Sequence, residues 1–328
     1  MPRALITGIT GQDGSYLADL LLDKGYDVHG LVRSSSALQS SRLKDLTNNP
    51  EIYPRRLFLR EGSFEDPASL RRILAESEPD EIYHLAGQTN VALSFQRIEA
   101  TSELTAMGTL RLLEAMREVR PQGRLFHASS SEIFGRPDKV PQDEQTPFRP
   151  VTPYGCAKAF ATQMVSIYRQ SFGLFVSNGI LYNHESPRRG EGFVTQKICR
   201  AAAAIHEGRQ QELLLGSLTA QRDWGDARDY VRGMWLVLQH PAAEDFVFAT
   251  GELHSVQEVL ELAFGAVGLD WRQYVKHDAK LLRPEGPARL VGNPAKAERW
   301  LGWHRTTTFE QLITEMTRAA LQNAQPRT

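Results

Sequence analysis

Three glycines at three-residue intervals, in Gly8-Ile9-Thr10-Gly11-Gln12-Asp13-Gly14, stand between two periodic segments. Before them lies a strand-like run, Ala4 to Thr7; after them, leucines at 17, 20 and 21 share one helical face. No other feature restricts the fold of this chain so tightly. A strand that must turn into a helix within so few residues needs glycine, which has no Cβ to obstruct the turn. The turn then aims backbone N–H groups and a helix N-terminus at one point, which suits a pyrophosphate at the carboxyl end of a parallel strand. The spacing is G-x-x-G-x-x-G rather than the G-x-G-x-x-G of the commoner dinucleotide sites.

The following segments keep this alternation. Gly25 suits the stop of the first helix, Val28 to Val32 and Leu57 to Leu59 read as strands, and Asp66-Pro67 reads as an N-cap and first helical residue. Glu81 to Ala86 and Arg124 to Ala128 are further strands around an apolar-faced helix, Gly108 to Met116. Tyr154 to Phe172 is a long helix and Phe175 to Tyr182 a strand. This order predicts an α/β fold, a Rossmann-type doubly wound parallel sheet with helices on both faces. The 328 residues exceed one ordinary domain of ~150. They divide on this reading into a dinucleotide-binding domain over 1–180, with returning segments near 223–250, and a smaller mixed α/β region over 181–328 that binds substrate.

Composition narrows the function classes. Lys plus Arg number 38 against 39 Asp plus Glu, a formal charge of −1, which offers no footprint for nucleic acid or an anionic membrane. Cys156 and Cys199 are too few for a disulfide scaffold or a cysteine-rich zinc site, and no metal ligand set is expected. There is no apolar run of the ~18 residues a membrane span needs, and the N-terminus lacks the layout of a signal peptide. A cytoplasmic enzyme is the expectation.

The end of the second strand speaks to the cofactor. An NAD site usually offers a carboxylate to the ribose diol there; this chain offers Arg33, then Ser34, Ser35 and Ser36, with Arg42 nearby. A cation and hydroxyls suit the 2′-phosphate of NADP. Tyr154 and Lys158 stand one helical turn apart, and an ammonium beside a phenol favours phenolate, a proton acceptor. Phe126 to Gly135 runs from a strand into a polar turn containing Ser130, which could hydrogen-bond the hydroxyl being oxidised and share its proton with Tyr154.

Together the glycine pattern, the serine-rich strand end and Y-x-x-x-K resemble the extended short-chain dehydrogenase/reductases that act on nucleotide sugars. Gly8 to Leu17, Asn183-His184-Glu185-Ser186-Pro187-Arg188-Arg189-Gly190 and Arg222-Asp223-Trp224-Gly225 resemble the GDP-mannose 4,6-dehydratase family within it. That resemblance implies a hydro-lyase using NADP on a nucleotide sugar, GDP-mannose first among the candidates. Ser130, Glu132, Tyr154 and Lys158 would be catalytic, with Glu132 taking the C5 proton. The cofactor would meet Gly8, Thr10, Gly11, Gln12, Asp13, Gly14, Arg33, Ser34, Leu85, Ala86, Tyr154 and Lys158. The sugar nucleotide would meet Thr89, Ser131, Asn183, Val194, Lys197, Arg222 and Arg283. A homodimer through the long Tyr154 helix is implied, with a tetramer as the alternative. Another NDP-hexose or a GDP-heptose as substrate, an epimerase or reductase, and a non-catalytic NADP-binding protein are the competing readings. The chain departs from the family pattern at Gly286, where a carboxylate is usual, at Gly62-Ser63, and in having a single Arg33 before its serines.

Overall fold

A computed structural model describes residues 1–33, 40–281 and 289–324. The first part alternates strand and helix: β1 (Arg3–Thr7), α1 (Gln12–Asp23), β2 (Asp27–Val32), the short α2 (Lys44–Thr47), β3 (Leu57–Glu61), α3 (Pro67–Ser77) and β4 (Glu81–His84). Next come α4 (Val91–Gln96), α5 (Ile98–Ser102), a π-helical turn (Glu103–Met107), α6 (Gly108–Val119), β5 (Arg124–Ser130), α7 (Pro153–Phe172) and β6 (Phe175–Leu181). The remainder is shorter-grained: β7 (Asn183–Glu185), α8 (Val194–His206), β8 (Leu213–Leu215), β9 (Gln221–Arg222), β10 (Trp224–Asp226), α9 (Ala227–Gln239) and β11 (Phe246–Phe248). It ends with β12 (His254–Ser255), α10 (Val256–Gly265), β13 (Val275–His277), α11 (Ala295–Leu301) and α12 (Phe309–Ala324).

Local chemistry sets the boundaries. The Asp66 side chain accepts the Ala68 N–H at 3.0 Å and Pro67 supplies the first helical φ of α3. Thr152 does the same for α7, accepting from the Gly155 N–H at 2.9 Å ahead of Pro153. Gly25 at φ +85° and Gly173 at φ +65° end the chain's turn out of α1 and α7 in a conformation that costs other residues strain.

Seven parallel strands form the main sheet in the order β11-β6-β5-β4-β1-β2-β3. The expected doubly wound sheet is therefore present. Strand order reverses between β1 and β4, which opens a crevice beyond their carboxyl ends, where Gly8 and Leu85 stand. Leu17 and Leu21 of α1 with Met234 and Val237 of α9 are buried on one face. Leu70 and Ile73 of α3, Leu112 and Met116 of α6 and Val165 of α7 are buried on the other. A second core joins α8, α10 and α12 through Ile198, Leu260, Phe264, Ile313 and Met316. No helix among the described residues is long and apolar enough to cross a membrane.

Asp229 of α9 ties that face of the sheet to the segment entering α12. Its buried carboxylate accepts from the Thr306 N–H at 2.7 Å, the Thr306 hydroxyl at 2.6 Å and the Thr307 N–H at 3.2 Å. Truncation would leave these donors without their acceptor, so Asp229→Ala should lower unfolding free energy by about 3 kcal/mol, read from the urea midpoint.

Candidate active site

The glycine turn is built by close packing of backbone on backbone. Gly8 has φ +76°, and a Cβ there would lie 2.9 Å from the Ala86 nitrogen. A Cβ on Gly14 would lie 2.3 Å from the Gly8 carbonyl oxygen and 2.6 Å from the Ile9 Cα. Leu85 and Ala86 thus begin the loop directly against the turn, and the Thr7 hydroxyl accepts from both their N–H groups at 3.2 Å. Gly11 donates its N–H to the Gly8 carbonyl at 2.9 Å and precedes α1 as its N-cap. A cradle that a Cβ would fill, opening on a helix N-terminus, fits the pyrophosphate of a dinucleotide.

Cations gather beside the turn. Arg42 donates to the carbonyls of Thr10 at 3.2 Å and Arg188 at 2.8 Å. Burial, and then the neighbouring charges of Arg188 and Arg189, hold its guanidinium below the usual arginine range. These three arginines, with Lys197 and Arg200, line a cleft of about 1040 Å³. Arg33 follows β2 and is exposed. Ser34 and Arg283, both expected at ligands, lie outside the described residues.

Across the crevice, β5 ends in Ser130 and a single 3-10 turn carries Ser131 and Glu132. Ser130 Oγ accepts the Glu132 N–H at 3.3 Å. Gly155 lets α7 abut this turn, since a Cβ there would lie 2.6 Å from the Glu132 carbonyl oxygen. That contact sets Tyr154, Ser130 and Glu132 side by side. Lys158, one turn further along α7, donates from Nζ to the Ala128 carbonyl at 2.6 Å.

The electrostatics differ from the sequence-based expectation. Burial pushes the Tyr154 phenol up to about 12; the hydrogen bond with Ser130 works against this, and the Glu132 charge adds to it. The expected depression by Lys158 does not prevail, because Nζ is directed to the Ala128 carbonyl and burial lowers the ammonium itself to about 8. Two more buried groups lie near Lys158. His84 links Thr7 (2.8 Å) to Thr109 (3.0 Å), and burial holds it neutral, lowered to about 3. His127 packs 5.4 Å from His84.

The other expected residues are spread over five places. Thr89 is exposed in the loop before α4, and Ser131 is buried. Asn183 opens β7 and pairs with Trp224 of β10. Val194 starts α8, where Lys197 donates to the Leu214 carbonyl at 2.7 Å. Arg222 pairs across from His254 in the β9–β12 ladder. The adjacent Asp223 accepts from Thr250 N–H (2.8 Å), its hydroxyl (2.7 Å), Gly251 N–H (3.0 Å) and Gly292 N–H (3.2 Å). That carboxylate anchors the return of the chain after residue 288. Asp223 carries these connections, and His184 Nε2 lies 2.8 Å from Asp13 Oδ2, although sequence reading gave neither Asp223 nor His184 a role. These partners are tens to hundreds of residues away, where no spacing rule applies.

Comparison with known proteins agrees with this arrangement. The family described as "GDP-mannose 4,6 dehydratase" matches residues 5–316. GDP-mannose 4,6 dehydratase 1 of Arabidopsis thaliana is 48% identical over 95% of this chain and 88% of its own. The human GDP-mannose 4,6 dehydratase is 43% identical over 97% and 91%. Among solved structures, dTDP-glucose 4,6-dehydratase of Streptomyces venezuelae with NAD bound superposes with a TM-score of 0.84 at 25% identity, covering 98% of this chain and 97% of that one. UDP-glucose 4-epimerase of Thermus thermophilus with NAD gives 0.82 at 26%, covering 98% and 99%. A glycine cradle at the switch point, a serine–glutamate strand end against a Tyr/Lys helix, and a match to one family over nearly the whole length agree: the chain belongs to the GDP-mannose 4,6-dehydratase family.

Proposed function

We propose that this chain removes water from GDP-mannose to give GDP-4-keto-6-deoxymannose, with NADP as a recycled cofactor. The observation that carries the reading is the placement of Glu132 beside Ser130 and Tyr154, close enough for its charge to act on the phenol. Oxidation at C4 alone needs the Tyr154/Lys158 pair; elimination across C5–C6 also needs a carboxyl group to move protons. Held at the glycine turn of Gly8, Gly11 and Gly14, with Tyr154 and Lys158 across the crevice, a nicotinamide would supply a hydride acceptor for C4 and a hydride donor for C6. Tyr154 acts from its phenolate form: hydrogen-bonded to Ser130, it receives the O4 proton and is phenolate again once that proton has gone to C5. Glu132 takes the C5 proton and delivers it to O6, which departs as water. The proton held by the Tyr154–Ser130 pair then goes to C5, so atoms and charge balance without net redox. Lys158, buried and held by the Ala128 carbonyl, is the cation that steadies the phenol when it gives up its proton.

Arg33 and the arginines beside the glycine turn support NADP over NAD, because a 2′-phosphate needs cationic partners. The dinucleotide is assigned to 1–180 with the returning α9 and β11, and the sugar nucleotide to the remainder, around Asn183, Val194, Lys197 and Arg222. A homodimer is proposed through α7, where Phe160 and Ile167 are 41% and 44% exposed beside Phe95 of α4 and Ile98 of α5, 57% and 54% exposed. That apolar surface is the kind a second copy covers.

Purified protein supplied with NADP and GDP-mannose should yield a product lighter by one water in mass spectrometry. No product from GDP-mannose but product from another NDP-hexose would overturn the substrate and keep the mechanism. Glu132→Gln should cut water loss by ~10²–10⁴-fold while hydride exchange at C4 persists, and undiminished dehydration would remove Glu132 from its role. Arg33→Asp should weaken NADPH binding relative to NADH by ~10–100-fold in a fluorescence titration. Ile167→Glu should shift the protein toward monomer in sedimentation velocity.

A further inference from the structure

Gln12 and Asp13, in the first turn of α1, both direct their side chains onto β7 and its neighbours. Asp13 Oδ2 lies 2.8 Å from His184 Nε2, and Oδ1 accepts from Gln12 Nε2 at 3.0 Å. Gln12 Nε2 also donates to the His184 carbonyl at 3.1 Å, and Gln12 Oε1 accepts from the Ser186 hydroxyl at 2.8 Å. The other ring nitrogen, His184 Nδ1, lies 2.7 Å from the Tyr182 carbonyl. The imidazole therefore faces an acceptor at each end.

Hydrogen-bond chemistry fixes the first of its protons. A carbonyl can only accept, so Nδ1 carries a proton. The proton between Nε2 and Asp13 could rest on either partner. Asp13 occupies the first turn of a helix, where the dipole favours a carboxylate, and it already accepts from Gln12. Burial alone would raise Asp13, but His184, Gln12 and Arg189 bring it below its ordinary value. The second proton belongs on the ring, which stacks on Tyr230 with centroids 4.6 Å apart.

We infer that His184 is a positioning residue: as an imidazolium between the Tyr182 carbonyl and Asp13, it pins the dinucleotide turn to the strand that carries Asn183. Dinucleotide affinity consequently depends on that proton. The inference rests on the glycine turn being the dinucleotide site, as proposed above. The charged and titratable groups facing the pair are Asp13 from α1, Arg189 from the loop after β7, Tyr230 from α9 and Tyr182 after β6; Tyr154 of α7 senses both Asp13 and Arg189.

The direction of the pH dependence follows from the shifts. Burial lowers the affinity of His184 for its proton, but the Asp13 charge outweighs this and leaves the ring above its ordinary 6.5. A raised group gives its full stabilisation below its unfolded value and loses it as pH rises through the folded one. Asp13, depressed from 3.8, contributes above 3.8 and loses its share as pH falls through its folded value. The pin is complete at mildly acidic pH and opens on the alkaline side.

NADPH fluorescence titrations from about pH 6 to about pH 9 test this with the full chain. Asp13→Asn keeps a hydrogen bond, because the carboxamide N–H donates to Nε2 of a neutral ring, and removes the charge. Wild type should lose NADPH affinity by ~10-fold or more as the ring deprotonates. The Asn variant should bind more weakly at pH 6 and lack this component. Lys158 titrates in the same window, so the difference between the two proteins is the readout. In ¹⁵N-histidine NMR at neutral pH, one ring with both nitrogens protonated should be present and absent from His184→Gln. Equal pH slopes in wild type and Asp13→Asn, or a neutral His184 ring, would overturn the inference. Failure to bind NADPH at any pH would overturn the dinucleotide reading, and with it the coupling, while the NMR would still decide the ion pair. NADPH binding without dehydration of GDP-mannose would count only against the proposed substrate.

Discussion

Backbone meets backbone where the glycine turn crosses the loop after β4, and much of the site follows from that contact. Gly8 and Gly14 leave no room for a Cβ against Ala86, the Gly8 carbonyl and Ile9. The Thr7 hydroxyl closes the seam by accepting the Leu85 and Ala86 N–H groups, and His84 extends the chain of hydrogen bonds to Thr7 and Thr109. The N-terminus of α1 is left facing the crevice at a fixed height, because a backbone contact has no rotamers through which to relax. Gly155 repeats the device on the opposite wall, bringing the first turn of α7 onto the Glu132 carbonyl.

Carboxylates, buried at Asp223 and Asp229 and partly buried at Asp13, supply the longer-range ties. Asp13, Asp223 and Asp229 each accept from groups far away in sequence, joining α1 to β7, β9 to the return of the chain at Gly292, and α9 to the entry of α12. They resolve the cost of burial differently. A charged partner, His184, overcomes desolvation at Asp13 and lowers it; at Asp223 four neutral donors do not, and burial leaves that carboxyl raised. A full opposite charge at short range outweighs several dipoles in a low-dielectric interior.

A formal charge of −1 conceals an uneven distribution. Arg188 and Arg189 crowd against Arg42 beside the glycine turn closely enough for both to disfavour its charge, an arrangement suited to phosphate chemistry. Lys158 is buried where carbonyl oxygen, rather than a carboxylate, holds it. Burial without a carboxylate partner disfavours its charge and brings the ammonium down to about 8.

Local patterns were legible in the sequence. The strand–glycine–helix unit, the Asp66 cap, the stop at Gly25 and the Tyr154/Lys158 face each depend on residues within a turn or two, where helical or strand periodicity dictates geometry. Ser130 and Glu132 were legible as neighbours for the same reason. The sequence also pointed to a parallel sheet, since alternating segments of these lengths have few other ways to bury their apolar faces. The direction of the Tyr154 shift was decided only by tertiary structure, because it depends on burial and on where Nζ of Lys158 points. The use of Asp13 was decided there too: its partner stands 171 residues away. Desolvation and Coulomb energy depend on distances through space, and those exist only once β7 is folded against α1.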